Sequence, residues 1–269
     1  MKPSIDKILF VSKVKNIGHG IFTMKPFIDK RLFVSKVKNI GYGIFTSEDI
    51  PKKTIIEVAI SKHVYKNQVC KDLELIDNYI YKYDGKKSSL ALGFGSIYNH
   101  ASNGINNVTY TVLNNKIIYK TIKAVEKNQQ LTINYGYTWF KNRNLKVTNK
   151  IIYTNKKKEQ PVFVSRKIEI KKNGVYANEK IAKNETVEIS HTINFKNIFY
   201  LNAKHSLSKM FFYNKQNNFL IPLGFANIYK VNKDYNVNYF IKNKKVYFIA
   251  NVEINSGDEL TISEQNYIN

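Results

Sequence analysis

Internal repetition constrains this chain more than any other feature. Phe33-Val34-Ser35 has an echo in Phe163-Val164-Ser165, and Gly43-Ile44-Phe45 has one in Gly174-Val175-Tyr176. Leu92-Gly93-Phe94 with Ile97-Tyr98 returns as Leu223-Gly224-Phe225 with Ile228-Tyr229, and Leu131-Thr132-Ile133 returns as Leu260-Thr261-Ile262. The offset stays at about 130 residues throughout, which predicts two copies of one domain. The domains expected are 24–143 and 162–269. A lysine- and asparagine-rich connection over 144–161 has the composition of a linker.

A second, younger repeat occupies the start. Residues 1–23 are followed at once by a near-copy, 24–46, and only Ser4/Phe27, Ile8/Arg31 and His19/Tyr42 differ. Only the second of these runs on into a domain. The first has no core of its own to join, so 1–23 reads as a loosely attached arm produced by in-frame duplication.

Within each copy the pattern is short strands. RLFVSKV, TIIEVAI, VTYTVL, KIIYKTI and QLTINY are β-branched or aromatic runs broken by Gly, Asn, Lys and Pro. One helix is expected, Lys71–Tyr83, because Leu73, Ile76, Ile80 and Tyr83 share a face at helical spacing. Short strands without long alternating helices exclude a doubly wound α/β fold and predict a mostly β domain.

Composition narrows the function. No apolar run approaches the roughly 18 residues of a membrane span. MKPSIDK is not followed by the apolar stretch of a secretory signal, so an intracellular, soluble protein is expected. The single cysteine, Cys70, rules out an internal disulfide or a multi-cysteine zinc cluster, and no metal is expected. The net charge of +23 rests on 43 basic residues, of which only Arg31, Arg143 and Arg166 are arginine. Scarce arginine argues against a sequence-specific DNA reader, since bidentate phosphate and guanine contacts favour it. A diffuse lysine surface still allows nonspecific, salt-sensitive contact with nucleic acid.

Three clusters in the first copy can carry chemistry. Gly41-Tyr42-Gly43 permits a sharp turn and close backbone approach to a ligand, and equally a plain turn between strands. Asn99-His100 offers donors and acceptors able to pair with a base edge, and equally a polar turn after a buried segment. Tyr135-Gly136, with Trp139 and Phe140 behind it, forms either a pocket wall or an ordinary strand end. No carboxylate pair or nucleophile triad is apparent.

Taken together, in this order, the clusters resemble the SET domain of protein-lysine methyltransferases. GYGIFTSEDIPKKTIIEV is similar to that family's opening strand-turn-strand, LGFGSIYNHA to its asparagine-histidine segment and QLTINYG to its tyrosine-glycine segment. The short virus-encoded SET proteins are the nearest likeness, and they also read Leu-Gly-Phe-Gly before Asn-His.

The resemblance implies small curved sheets with the asparagine-histidine and tyrosine segments threaded as a pseudoknot. It implies S-adenosylmethionine as cofactor, held by Gly41, Tyr42, Gly43, Asn99 and His100 and covered by Trp139. It also implies Tyr135 as the catalytic tyrosine, with Tyr79, Tyr98 and Tyr137 along a substrate-lysine channel. A histone tail is the implied substrate, which places the protein at chromatin or in the nucleus. Glu48, Asp49, Glu57, Asp72, Glu74, Asp77 and Asp84 are candidates for an acidic groove to receive a basic tail.

The second copy departs from the family where the first agrees. Lys230-Val231 stands in place of Asn-His, Glu264-Gln265 in place of Tyr-Gly, and Lys172 near the first glycine of the turn. It reads as a degenerate, folded and inactive SET-like domain, paired with the first as an internal pseudo-dimer or part of a homodimer. The competing reading is a pseudo-enzyme throughout, serving as a chromatin or nucleic-acid binding module.

Overall fold

The computed structural model describes residues 24–65, 71–113, 115–145, 151–154, 163–171, 174–196, 210, 212–214 and 218–264. The duplicated segment 1–23, Cys70, Lys172, Gln265 and most of the expected linker lie outside these.

The first half holds β1 (Phe27–Ile28), β2 (Leu32–Val37), β3 (Gly41–Thr46), β4 (Ile55–Tyr65), β5 (Ile80–Lys82), β6 (Lys87–Ala91), β7 (Asn99–His100), β8 (Val108–Val112), β9 (Lys116–Thr121), β10 (Gln130–Ile133) and a short α1 (Tyr137–Lys141). These make two curled sheets. One runs β5-β6-β4-β9-β8, with β1 added to β4, and the other runs β2-β3-β10-β7. Leu32, Ile44, Ile56, Val108, Ile117, Leu131 and Ile133 fill the space between them.

The helix expected over Lys71–Tyr83 does not form. Lys71–Asn78 winds as a 3-10 helix and Ile80–Lys82 becomes β5. The turn closes with an i→i−3 bond from Tyr79 N to Ile76 O at 2.8 Å. The aromatic and β-branched run that follows then pairs with the free edge of β6, Ile80 opposite Leu90. A tertiary partner outweighs a local periodicity here.

The second half holds β11 (Phe163–Val164), β12 (Ile168–Lys171), β13 (Gly174–Ala177), β14 (Thr186–Lys196), β15 (Phe212–Asn214), β16 (Asn218–Pro222), β17 (Lys230–Val231), β18 (Val237–Lys242), β19 (Lys245–Ala250) and β20 (Glu259–Ile262). Its sheet runs β12-β13-β20-β18-β19-β14-β16-β15, with β11 on β14 and β17 on β20.

Several local arrangements recur between the halves. Asn99 and His100 lie parallel to Thr132 and Ile133 of β10, and Lys230 and Val231 lie parallel to Thr261 and Ile262 of β20. A buried Asn107 brackets β10, accepting from Thr132 N and donating to Gln130 O, both at 2.9 Å. Asn236 brackets β20 in the same way through Thr261 N and Glu259 O. Leu92 N donates to Ile60 O and Leu223 N donates to His191 O, each at 2.8 Å.

The halves are not separate beads. Val64, Ile76, Leu90 and Leu92 of the first half are buried in the cluster built by Phe212, Leu220, Leu223, Phe225 and Phe248 of the second. The two Leu-Gly-Phe segments meet, with Gly93 N donating to Leu223 O at 2.7 Å. A Cβ on Gly93 would stand 3.3 Å from the Phe225 ring, so glycine permits this approach.

Part of the expected linker is also bound to the first half. Gln130 N donates to Ile152 O at 2.8 Å and Thr154 N to Asn128 O at 2.9 Å. Ile152 packs on Phe33, Val37 and Phe45.

Candidate active site

Three chain segments distant in sequence converge at the end of the β2-β3-β10-β7 sheet. Gly41 begins β3 with φ +114, a left-handed conformation that an L side chain strains to adopt, and the space where its Cβ would stand is open. Gly43 is the opposite case. A Cβ there would crowd Gln130 Nε2 and stand 2.9 Å from Asn99 Nδ2. Asn99 Nδ2 donates to Tyr42 O at 2.9 Å, so the asparagine fastens the glycine turn to β7.

His100 joins the same sheet to the tyrosine segment. Its Nδ1 accepts from Tyr135 N at 3.0 Å, which requires a proton on Nε2 in the neutral ring. Nε2 is buried and has no partner, and Gln130 Nε2 is in the same condition. Burial holds the His100 pKa below the ordinary histidine value, keeping it neutral. The ring packs 4.4 Å from Phe140 and 5.3 Å from Tyr135.

Beyond Tyr135 opens a cavity of about 760 Å³. Tyr79, Tyr81, Tyr98, Tyr110, Tyr135 and Trp139 are among the residues lining it. The Tyr135 hydroxyl donates to Tyr98 O at 2.5 Å and its ring meets Trp139 edge-on at 4.9 Å. Tyr81 donates to Gly95 O at 2.6 Å, and Tyr119 does so at 3.1 Å. Tyr98 stacks on Tyr119 at 4.4 Å, and Tyr81 meets Tyr110 edge-on at 4.8 Å. Burial, reinforced by Tyr79, pushes the Tyr135 phenol well above its ordinary range, so it stays protonated.

Arg143 also lines the cavity. Its guanidinium lies 4.4 Å from the Trp139 ring centroid and donates to Asp77 O, Trp139 O and Asn78 Oδ1. It thereby ties α1 to the end of the 3-10 helix.

The site residues expected from the sequence therefore fall into two neighbouring groups. Gly41, Tyr42, Gly43, Asn99 and His100 form one, joined through Asn99. Tyr79, Tyr98 and Tyr135 form the other, and Trp139 lines the cavity with them. Tyr137 is not on the cavity; it begins α1 and is 76% exposed. The sequence reading missed Tyr81, Tyr110 and Tyr119. The alternation in Tyr79-Ile80-Tyr81 signals the first, while the second and third become neighbours only through the Tyr110–Tyr119 register of β8 and β9.

The expected acidic groove is dispersed. Glu57 is 0% exposed and accepts from Gly95 N at 3.1 Å, at the first half's Leu-Gly-Phe turn. Burial raises its pKa to about 8 against the opposing help of the Tyr98 hydroxyl and the Gly95 and Phe94 amides. Glu188 does the same in the second half, accepting from Phe225 N at 2.8 Å, with burial raising it to about 7. Asp49 accepts from Lys127 N and Asp84 from Lys86 N and Lys87 N, while Asp77 alone of these lines the cavity. The side chains of Asp72 and Glu74 lie outside the described set.

Comparison with known proteins finds likenesses for this segment. Residues 41–136 match the SET domain family. The match begins at the Gly41 turn, ends at Gly136, and takes in Asn99, His100 and Tyr135. The mostly β architecture with curled sheets is the SET-domain fold.

A histone-lysine N-methyltransferase of Schizosaccharomyces pombe, described as specific for histone H3 lysine 37, is 34% identical over 100 residues. The alignment takes in 35% of this chain, which spans 65% of that relative's length. A solved structure from Plasmodium falciparum, described as a candidate histone methyltransferase, is 27% identical. It aligns over 42% of this chain and 99% of its own, with a TM-score of 0.35. Among the described residues no helix is long and apolar enough to cross a membrane.

The group that SET domains generally use is S-adenosylmethionine. The residues present fit it. Gly41 leaves open space where a side chain would stand, and His100 and Gln130 carry buried nitrogens without partners, next to the aromatic cavity.

Proposed function

We propose that the chain is an S-adenosylmethionine-dependent protein-lysine N-methyltransferase whose chemistry resides in residues 24–143. The observation that supports this most is the tyrosine-lined cavity at Tyr135, directly beside the Gly41–Gly43, Asn99 and His100 cluster. An apolar, aromatic channel and a polar cluster meeting at one phenol suit a reaction between two cationic partners.

Gly41, Tyr42, Gly43, Asn99 and His100 would hold the cofactor, with Trp139 at the edge shared with the channel. Bound there, S-adenosylmethionine supplies an electrophilic methyl group. The chain's own work is alignment, which can account for much of such a rate. Tyr79, Tyr81, Tyr98 and Tyr110 exclude water, and a poorly solvated channel favours the neutral lysine amine over its ammonium. Their faces also attract the ammonium head as it enters. Tyr135 has its proton committed to Tyr98 O, so its oxygen is left as an acceptor able to orient an amine N–H. Its raised pKa makes phenolate scarce, so it orients rather than acts as a base.

The histone named for the S. pombe relative motivates a histone tail as substrate and chromatin as the place of action. Residues 162–269 are, in this reading, a degenerate SET-like copy. Lys230-Val231 occupy the strand position held by Asn99-His100 in the first half and carry no amide or imidazole. The chain as a whole is then an internal pseudo-dimer with one working site. The net charge of +23 would repel a basic tail, though salt screens that repulsion beyond about 8 Å, and would attract the DNA of a nucleosome.

Transfer of labelled methyl from S-adenosylmethionine to core histones and nucleosomes tests the reading, with Tyr135→Phe alongside. Label that falls sharply in the variant is expected. A wild-type chain that neither transfers label nor binds the cofactor overturns it in favour of a binding module.

A further inference from the structure

The glycine turn of the candidate active site is braced from the other half of the chain. His191, on β14, meets the Tyr42 ring edge-on with centroids 5.6 Å apart and lies 6.4 Å from the Tyr79 ring. Tyr42 belongs to the turn that would hold the cofactor, and Tyr79 to the wall of the cavity. Lys245, the cross-strand partner of His191, places its Nζ 5.1 Å from the centroid of the same Tyr42 ring. The second half thus reaches the place where the glycine turn and the cavity wall of the first half adjoin.

This contact is not a by-product of repetition. The first-half counterpart of His191 is Ile60, because each carbonyl accepts from the leucine that opens its Leu-Gly-Phe segment. Both positions are half-buried in their strands, where isoleucine needs no polar partner and histidine brings an aromatic ring. Burial, with the Lys245 charge adding to it, lowers the His191 pKa to about 4, so the ring is a neutral aromatic at ordinary pH.

We propose that His191 is a positioning residue for the S-adenosylmethionine site of the first half, bracing Tyr42 so that the Gly41–Gly43 turn keeps its shape. The proposal rests on the methyltransferase reading above and deepens it. The second half then does more than fold: it completes a site that residues 24–143 build only in part. His191 acts through Tyr42, whose carbonyl is in turn fixed by Asn99 Nδ2. Loss of the ring leaves that carbonyl bonded but frees the side of the turn that faces the second half.

Two full-length variants test this by calorimetric titration with S-adenosylmethionine, with thermal melting to check the fold. His191→Ile installs the first-half residue, keeps a strand-compatible side chain and removes the ring. It is expected to weaken cofactor binding about 5- to 20-fold, the range of one lost contact between neighbours. KM for the cofactor should rise with it, while kcat at saturation changes little. His191→Phe keeps an aromatic edge and is expected to bind within about twofold of the native chain.

Native-like binding by both folded variants overturns the brace and leaves the methyltransferase reading intact. Equal loss in both overturns the ring contact as the cause. No cofactor binding by the native chain overturns the brace and the reading together.

Discussion

The Tyr135 hydroxyl donates to the backbone carbonyl of Tyr98 at 2.5 Å, so the tyrosine segment and the asparagine-histidine segment hold each other in place. The bond fixes the phenol oxygen on the cavity wall and leaves its lone pairs free. Tyr135→Phe removes that oxygen without changing the ring. Methyl transfer should fall about 100-fold, as for a misplaced reacting group, with a stability loss of about 1 kcal/mol. Labelled-methyl kinetics beside a urea melt will check both figures. Retention of rate would mean the phenol orients nothing.

Gly43 and Gly41 should respond differently to alanine. At Gly43 the new methyl would crowd Gln130 Nε2 and Asn99 Nδ2, displacing the asparagine that fastens the turn. Overpacking of this kind costs about 1–3 kcal/mol. Gly43→Ala should therefore lower the melting temperature and weaken cofactor binding together. Gly41→Ala meets open space and is strained only by φ +114, so its effect on the packing around Asn99 should be smaller. Thermal melts and cofactor titrations of the two variants, side by side, distinguish the mechanisms.

The buried carboxyls predict an unusual pH profile of stability. Glu57 and Glu188 ionise near 4.5 when unfolded and near about 8 and about 7 when folded. Above pH 4.5 the unfolded chain gives up protons that the folded chain keeps, so each group makes stability fall as pH rises to its folded value. The slope is about 1.4 kcal/mol per pH unit for each. His191 works the other way between about 4 and 6.5, because its folded value is lowered and only the unfolded ring takes up a proton. Between pH 7 and 8 only Glu57 of these three still contributes. Glu57→Gln should flatten the denaturation free energy across that window, and an unchanged slope would show that Glu57 is not the source.

Arg143 offers a test of how the cavity wall is held. Its guanidinium covers Trp139 and reaches Asp77 O and Asn78 Oδ1 in one planar fork. Lysine cannot reproduce that geometry. Arg143→Lys and Arg143→Ala should both raise the peptide KM several-fold with little change in cofactor affinity. Rescue by lysine would reduce the residue's role to charge alone.

The shared core makes the first half dependent on the second. A fragment of residues 24–154 would expose Val64, Ile76, Leu90 and Leu92 where Leu223 and Phe225 now cover them. It should self-associate or melt well below the full chain, as read by sedimentation and thermal denaturation. A monomeric fragment with native stability would show that the halves are independent.

What was legible in the sequence is local or periodic. Short β-branched runs predict strands because the pleat repeats every two residues. The Gly41–Gly43, Asn99-His100 and Tyr135-Gly136 motifs are contiguous, so their chemistry could be read without knowing what faces them. The echo of Leu92-Gly93-Phe94 in Leu223-Gly224-Phe225 was visible for the same reason. What failed depended on partners far along the chain. The run after Asn78 became β5 because an edge of β6 was available. Glu57, read as a surface acid, is buried because the amide of Gly95 folds onto it. Tyr110 reaches the cavity, and Tyr119 its place behind Tyr98, only through strand register, and His191 reaches Tyr42 only through the packing of one half on the other. The sequence by itself determined the strand content and the three site motifs. Tertiary structure alone decided which side chains surround them, because burial and long-range contact are properties of the folded chain and not of any stretch within it.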